Sequence, residues 1–445
     1  MVTARLRSAL LVAGLVAGCT TSGFEGPITS PTVARIAILA ETPEQWIAAY
    51  HLPAPVTELV FARQPDDSRT KDWQPSRDFE IIRTGGAERL RRKDGAPFAY
   101  AKVSVPAAYR DLPMDYAPFS PFGDGGMLAY SGRFFACPVE CSGAAVFQMQ
   151  LTAPGHTILV DGVRHKDNAT WRDSAEGRSV YVGETAPVET PDFLSVIDAA
   201  LPEKIRTQLA ADLPGFMRFF AERMGALPER PMLFASYDIR PTAGFGRQGG
   251  TLPGQVFVHF YGEAWPEQMA KPGFGADLAW HFAHEAAHLY QRQAYVGSDA
   301  SSWIHEGGAE AFAAIAMRAQ GQAAGADAHI AASAATCAKK LSARSVHGAL
   351  TAGDYDVAYA CGLQINLALD AELRRVAPSS DGLFTVWRRF QDQVKGREPA
   401  EDDFLAAIAF VGNDGLAARV RDMVDTPSPA FTLVGQASGG GHGQW

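Results

Sequence analysis

The sequence predicts an α+β protein in which an all-β domain comes first, a mixed domain with a small sheet follows, and a helical part ends the fold. Three patterns favour this order. Short β-branched or alternating runs fill the first part of the chain. Two later strand-like runs flank a Gly-rich stretch, and apolar residues then recur at helical spacing. We expect the β domain at 34–190, the mixed domain at 191–325 and its helical extension at 326–432.

The chain begins with the pattern of an export signal. Two arginines precede an apolar run, Ala9–Ala17, that is too short to span a bilayer. The run ends in Leu-Val-Ala-Gly-Cys, which resembles the cleavage box of bacterial lipoproteins. That resemblance implies removal of residues 1–18, lipid attachment to Cys19 and a tether at 19–33, with the protein held at the cell envelope. In a Gram-negative source this is the periplasmic face of the outer membrane. A plain cleaved secretory signal is the alternative.

The β domain is predicted from six runs bounded by Gly, Pro and Asp turns. They are Glu58–Ala62, Phe79–Arg83, Tyr100–Val105, Ala144–Leu151, Thr157–Val160 and Ser179–Val182. Such a series is typical of a sandwich or an open saddle. With 445 residues, of which 47% are hydrophobic, the chain can bury one large core or several smaller ones. The net charge of −9 and the lack of a long basic run argue against a nucleic-acid partner.

Four cysteines follow Cys19, and an exported protein is expected to pair them. Pairing of sequence neighbours predicts the disulfides Cys137–Cys141 and Cys337–Cys361. A structural zinc site of clustered cysteines is the alternative, but only the first two lie close together in the sequence.

The mixed domain is expected to open with helices from Ser195 onward. Apolar spacing predicts helices at Leu201–Leu213 and Pro214–Met224, and strands at Pro231–Ile239 and Gln255–Tyr261. The Gly-rich segment Gly244–Gly254 connects the two strands.

The chemistry of the chain is concentrated in a His-Glu-x-x-His motif. The residues from Ala276 to Val296 include neither Gly nor Pro and have helical apolar spacing. On a helix, His284 and His288 lie one turn apart on the same face and are suited to grip one Zn²⁺ ion. Glu285 lies beside them, where it is suited to activate a metal-bound water. An amphipathic core helix with chance histidines is the alternative.

The third ligand is expected from the next helix. A Gly and a His would follow the motif in one subclass, but those positions are Gln291 and Ala294. We therefore assign Glu306 as the third ligand. Glu310, one turn later, is expected to accept the free N–H of a liganding imidazole, unless it is a solvated acid. Two histidines remain open alternatives: His305 as a rival ligand and His281 as a hydrogen-bonded neighbour.

These residues resemble the gluzincin peptidases. The motif, seventeen further residues and then Glu-Gly are similar to the pattern of the aminopeptidase N and glycyl aminopeptidase families, one residue shorter than in the former. The resemblance implies a zincin-like, thermolysin-type catalytic domain, an N-terminal β domain beside it, bound zinc and a peptide substrate. It also implies an edge strand near the metal, here Gly249, Gly250 and Thr251, to which an extended peptide adds.

The resemblance also shows a departure. In the aminopeptidase N family a Glu that precedes this strand holds the free amine of the substrate, and Thr251 stands at that position here. Exopeptidase and endopeptidase action therefore both remain open.

The helical extension carries one more predicted catalytic group. Helices are expected at Ala309–Ala319, Asp327–Leu341, Tyr355–Leu369, Gly382–Val394 and Asp402–Phe410, with an unstructured tail at 433–445. By resemblance to the Tyr-x-Lys-Gly segment of the aminopeptidase N family, Tyr359 stabilises the oxyanion. Tyr355 is the alternative, and a buried structural tyrosine is a second one.

The sequence therefore predicts a zinc-dependent peptidase in which Glu285 acts as general base on a metal-activated water. A catalytically inert binding module of the same fold and a zinc hydrolase with a non-peptide substrate are the alternatives. The substrate preference and the oligomeric state do not follow from the sequence.

Overall fold

A computed structural model describes residues 32–427, apart from 113–114, 175, 239–242, 292–293 and 342. Its strands are β1 Thr32–Ala40, β2 Gln45–Val56, β3 Glu58–Phe61, β4 Gln74–Pro75, β5 Phe79–Thr84, β6 Ala87–Arg92, β7 Phe98–Pro106, β8 Phe119–Pro121, β9 Met127–Tyr130, β10 Ala136–Cys137, β11 Val146–Val160, β12 Val163–Ser174, β13 Ser179–Gly183, β14 Val188–Glu189, β15 Leu194–Ile197, β16 Met232–Asp238, β17 Gly246–Leu252 and β18 Gln255–Tyr261. Its helices are α1 Ser68–Asp72, α2 Glu203–Met224, α3 Trp265–Met269, α4 Phe274–Gln291, α5 Ser302–Ala319, α6 Ala323–Lys340, α7 Val346–Thr351, α8 Asp356–Val376, α9 Leu383–Gln393, α10 Glu401–Val411 and α11 Asp414–Asp425.

The N-terminal part consists of two sheets, as the strand pattern predicts. One has the order β4-β7-β2-β1-β11-β13-β9-β8, with β12 paired to β11, and the other has the order β10-β3-β6-β5. Alternating apolar side chains from both sheets, such as Ile36, Trp46, Leu59 and Leu90, meet in one core. The predicted α+β class, with β structure first and helices last, is confirmed.

A third sheet, in the order β14-β15-β16-β18-β17, forms the floor of the mixed domain. The prediction of helix from Ser195 is wrong, because Leu194–Ile197 pairs in parallel with β16. A short apolar run with β-branched residues fits a buried strand as well as a helix, and here the sheet provides the partner. The Gly-rich connection is also ordered: Gly246–Leu252 is an antiparallel strand at the sheet edge.

Helix α2 is one continuous helix, and the predicted break at Pro214 is wrong. An interior proline removes a backbone hydrogen bond and costs about 3 kcal/mol. One face of α2 buries large side chains, including Leu209, Phe216 and Phe220, in the main core. Each such burial contributes roughly 1.5–3 kcal/mol, so packing outweighs the proline.

Helices α4, α5 and α8 contribute to one core with strands β16 and β18. Helices α5 and α8 approach closely at two glycines, since a Cβ on Gly307 would lie 2.4 Å from the Cα of Gly362. The disulfide Cys337–Cys361 joins α6 to α8, and Cys137–Cys141 closes a turn after β10. Both predicted pairings are present. The first turns of α5, which precede Gly307, lie against α4, where Gln291 donates a hydrogen bond to the carbonyl of His305 at 2.8 Å.

The β domain packs directly on the third sheet. Leu128 and Tyr181 of the β domain share a small buried cluster with Phe234 and Phe257 of β16 and β18. Edge strand β17 therefore lies between the β domain and α4. Within the part of the chain that the structure describes, no helix has the length and apolar character to cross a membrane. Cys19 and the predicted tail at 433–445 lie outside that part.

Candidate metal centre

Three side chains from two helices converge on one point. His284 and His288 come from successive turns of α4, and their Nε2 atoms lie 3.0 Å apart. Oε2 of Glu306, on the first turns of α5, lies 3.4 Å from the Nε2 atom of each histidine. Among the described residues, these three form the cluster of potential ligand atoms that is compact enough for one ion.

The spacing of the three atoms fits a zinc ion. Two donors bound to one tetrahedral zinc at about 2.0–2.1 Å lie roughly 3.3 Å from each other, which is close to the observed 3.0–3.4 Å. Two imidazoles and one carboxylate are also a usual ligand set of catalytic zinc. Burial lowers the pKa of His284, but Glu306 and Glu310 outweigh burial and raise it. The carboxylates thus stabilise positive charge between them, as a metal dication would supply.

His284 is oriented from behind by Glu310. Its Nδ1 lies 2.8 Å from Oε1 of Glu310, while Oε2 of Glu310 accepts a hydrogen bond from the indole N–H of Trp280 at 3.0 Å. His329 of α6 lies 3.2 Å from the same oxygen and stacks on Trp280. Burial raises the pKa of Glu310, but its contacts with His284 and His329 prevail and lower it to about 2. Glu310 is therefore an anion that is placed to fix the tautomer of His284.

His288 has a different partner. Its Nδ1 lies 2.6 Å from the side-chain oxygen of Gln291, which in turn donates from Nε2 to the carbonyl of His305 at 2.8 Å. The ring of His305 stacks on that of His288 and lies outside the ligand cluster. Burial and the neighbouring His288 lower the pKa of His305 to about 3. His305 is thus a neutral ring that packs against His288.

Glu285 lies on the next face of α4 and points toward the edge strand. Its Oε2 accepts a hydrogen bond from the Thr251 hydroxyl at 3.1 Å, and its backbone carbonyl lies 3.1 Å from the same hydroxyl. His281, one turn earlier, has its Nδ1 3.9 Å from Oε1 of Glu285. The ring of His281 fits because Gly249 has no side chain, since a Cβ there would lie 3.0 Å from it.

The two candidate tyrosines occupy different surroundings. The ring of Tyr359 lies 5.8 Å from that of His284, and 42% of the residue is exposed. Burial raises the pKa of Tyr359, and Glu306 and Glu285 raise it further, so its hydroxyl keeps its proton. The hydroxyl of Tyr355 instead donates to Asp299 at 3.0 Å. Of the two, Tyr359 is therefore the one beside the metal cluster.

The edge strand borders this cluster on its open side. Thr251 and Gly249 face α4, whereas a Cβ on Gly250 would face the rings of Phe257 and Tyr116. Tyr116 comes from the β domain, and its hydroxyl donates to the carbonyl of Thr251 at 3.0 Å. The β domain thus helps to form the wall of the cleft.

The structure brings together most of the residues singled out in the sequence: His284, His288, Glu306, Glu285, Glu310, Thr251 and Tyr359. Sequence reasoning missed Gln291 and His329. Gln291 is three residues after His288 on the same helix, a spacing that favours contact, so a signal existed. His329 lies on another helix, and its contact with Glu310 depends on how α5 and α6 pack.

No protein-family profile and no curated protein sequence matches the chain. Solved structures match over most of its length. An aminopeptidase N family protein from Idiomarina loihiensis has a TM-score of 0.66 and 11% identity over 90% of this chain and 77% of its own. An M1 zinc metallopeptidase from Deinococcus radiodurans has a TM-score of 0.52 and 14% identity, covering 89% and 93%. Yeast LTA4 hydrolase in complex with bestatin has a TM-score of 0.53 and 10% identity, covering 88% and 66%. The resemblance to the aminopeptidase N family is thus confirmed in the fold: the chain has the α+β architecture of the M1 zinc metallopeptidases.

Proposed function

We propose that this protein is a zinc-dependent peptidase. The observation that carries the proposal is the convergence of His284, His288 and Glu306 at 3.0–3.4 Å, with Glu285 on the adjoining face of α4. The fold shared with M1 zinc metallopeptidases supports it. The zinc would be held by these three residues. When bound, zinc lowers the pKa of a coordinated water and polarises the substrate carbonyl.

Glu285 acts as the general base in this proposal. As a carboxylate, it takes a proton from the attacking water and passes it to the leaving amine. The Thr251 hydroxyl, 3.1 Å from Oε2, holds the carboxylate in one orientation toward the cleft. A positioned proton acceptor of this kind contributes about 10²–10⁴ in rate.

Tyr359 stabilises the charge that develops on the substrate carbonyl oxygen. Its ring lies beside His284, and its phenol keeps its proton at neutral pH, so it is able to donate a hydrogen bond. A single oxyanion donor is typically worth about 10²–10³ in kcat. Tyr355 is directed to Asp299 and is not assigned this role.

The substrate is proposed to be a peptide that lies along edge strand β17. An unpaired sheet edge binds an extended peptide through main-chain hydrogen bonds. One of the similar structures, a mutant of the Deinococcus radiodurans enzyme, was solved with a Tyr-Ser-Ala substrate. In this chain β17 contains no carboxylate to hold a free amine, so we do not limit the proposal to aminopeptidase action.

The proposal is tested with a peptide library and the zinc-loaded protein. We expect hydrolysis that a chelator abolishes and that added zinc restores. Glu285→Gln should retain its zinc and lose turnover by about 10²–10⁴. Parallel assays with free and N-acetylated peptides separate exopeptidase from endopeptidase action. If no peptide is cleaved while zinc is bound, the peptidase proposal fails, and an inert binding module or a hydrolase of another substrate takes its place.

We also propose that the protein is exported and anchored by a lipid on Cys19. Two disulfides between described cysteines favour an oxidising compartment. Labelling with a radioactive fatty acid should modify the wild-type chain and not Cys19→Ser. A labelled Cys19→Ser variant, or an unlabelled wild type, would contradict this assignment.

A further inference from the structure

The edge strand presents one cation to the cleft. Side chains alternate along a strand, and the Thr251 hydroxyl bonds Glu285 while Gly249 lies against His281. Arg247 is two residues before Gly249, so its side chain leaves the same face of β17, toward α4. Gln248, between Arg247 and Gly249, lies on the opposite face and donates a hydrogen bond to the carbonyl of Asp115 in the β domain.

The surface that Arg247 meets on α4 is acidic. Asp277, His281 and Glu285 are spaced by four residues and form one stripe along the helix. Burial between the cleft walls lowers the pKa of Arg247, and the carboxylates of Asp277 and Glu285 are near enough to oppose that effect. The residue is still exposed to solvent. Arg247 therefore lies within the electrostatic reach of the proposed general base and remains accessible to a ligand.

Arg247 forms no ion pair with any residue that the structure describes, unlike several other arginines of the mixed domain. Arg218, Arg230 and Arg318, for example, each bond a carboxylate. Glu285 does not require Arg247 as a partner, since Thr251 already holds its carboxylate. An unpaired guanidinium presents a fork of N–H donors that matches a carboxylate in two parallel hydrogen bonds.

We propose that Arg247 binds a carboxylate of the substrate, so that the cleft selects peptides with an acidic group near the scissile bond. This inference rests on the proposed peptidase function and names its substrate class. Arg247 and Thr251 are four residues apart, or about 13 Å along a strand at roughly 3.3 Å per residue. A peptide that pairs with β17 rises by the same distance per residue. The arginine side chain covers part of the distance of about 13 Å between Arg247 and Thr251. The carboxylate thus lies about two to four residues from the cleaved bond.

The experiment measures peptide binding separately from turnover. The protein carries Glu285→Gln and is loaded with zinc, and the ligands are fluorescent peptides in matched pairs, each prepared with a free and with an N-acetylated amino terminus. Each pair differs by Glu against Gln at one position, two to four residues on either side of the scissile bond. We expect one position at which the Glu peptide binds about tenfold more tightly, in the range of a charge-assisted hydrogen bond.

Arg247→Gln should reduce that preference to near unity, and Arg247→Glu should reverse it. The control is Arg77→Gln, the same charge change at an exposed arginine of the β domain, and it should leave the preference unchanged. Circular dichroism and zinc content verify that each variant is folded.

The outcomes separate the two proposals. The role of Arg247 is overturned if the Glu preference survives Arg247→Gln or if no position shows a preference. In either case, cleavage of peptides by the wild type would still support the peptidase function. If the wild type cleaves no peptide and the Glu285→Gln protein binds none, the peptidase function fails and the substrate inference fails with it.

Discussion

Two clusters of charged side chains in this protein differ in how their charges are paired. In the β domain, Arg69 and Glu88 are both fully buried and form an ion pair at 2.8 Å. Arg133 beside them donates to Asp66 at 2.9 Å and to Ser68 at 2.7 Å. Each charge there faces its opposite. At the junction of α4 and α5, two imidazoles and a carboxylate instead point at one another.

The difference distinguishes a structural polar cluster from a candidate metal centre. A buried charge is tolerated when an opposite charge or hydrogen-bond donors satisfy it. Among the described residues, neither Glu306 nor Glu310 has a Lys or Arg in its ion-pair contacts, and histidines take that place. In the β-domain cluster arginines therefore neutralise the carboxylates, whereas in the α4–α5 cluster histidines face the carboxylates, the arrangement that we propose to hold a metal cation.

The largest expected effect on folding stability comes from breaking the buried ion pair of the β domain. Glu88→Gln leaves the Arg69 guanidinium buried without its carboxylate, and such a loss typically costs about 3–5 kcal/mol. Urea unfolding of the zinc-loaded protein measures it, and zinc content should not change. Glu80→Gln is the matched control, because Glu80 pairs with the exposed Arg91 at 2.8 Å and its loss should cost less than about 1 kcal/mol. Equal losses in the two variants would mean that the buried pair has no special role.

The next largest effect is on catalysis and concerns Tyr359, which lies beside the α4–α5 cluster. Tyr359→Phe removes the proposed oxyanion donor and should lower kcat by about 10²–10³ with little change in KM. Tyr355→Phe should have a much smaller effect, since that hydroxyl bonds Asp299. Steady-state kinetics on a cleaved peptide compares them. A wild-type kcat for Tyr359→Phe together with a defective Tyr355→Phe would transfer the role to Tyr355.

A smaller effect tests the support of the metal ligands. Glu310→Gln keeps the shape of the side chain but removes the charge behind His284, and should weaken zinc affinity by about 10–100-fold. Competition with a chelator of known affinity measures it. Gln291→Ala tests the neutral partner of His288 in the same way. Unchanged affinity in Glu310→Gln would show that Glu310 does not support the site.

The smallest expected effect is a pH dependence at a third cluster, where a histidine is the cation. His347 lies 3.0 Å from Glu401 and 2.7 Å from Asp425, and joins α7 to α10 and α11. The contact with Glu401 raises the pKa of His347 above its ordinary 6.5. The stabilisation is therefore fully present below about pH 6.5 and decreases as the pH rises through the higher folded-state value. Unfolding midpoints of the wild type and His347→Gln should differ at pH 6 and converge above the folded-state pKa of His347. A difference that stays constant with pH would contradict the role of His347 as the cation of this cluster.

The sequence predicted the proposed metal ligands better than the residues around them, because the ligands are close to one another in the sequence. His284 and His288 are one turn apart on a single helix, and Glu306 and Glu310 repeat that spacing on the next, so local geometry was sufficient. His329 contacts Glu310 through the packing of two helices. Long-range packing of this kind leaves no periodic signal in the chain.

The edge strand was predicted only in part, for a similar reason. The Gly-rich segment around Gly249 has the composition of a loop, yet it pairs with β18 over seven residues. The glycines are required because His281 and the ring of Tyr116 occupy the space where side chains would lie. Tyr116 comes from a distant part of the sequence, so neither it nor the direction of Arg247 could be inferred before the strand was seen in its sheet.

The most direct test of the central claim is the metal content of the purified protein. Elemental analysis after zinc loading and removal of free metal should give about one zinc per chain, and His288→Ala should lose nearly all of it. Glu285→Gln, which leaves the three ligands intact, should bind as much zinc as the wild type. Full zinc retention by His288→Ala would contradict the claim that His284, His288 and Glu306 hold a metal between α4 and α5.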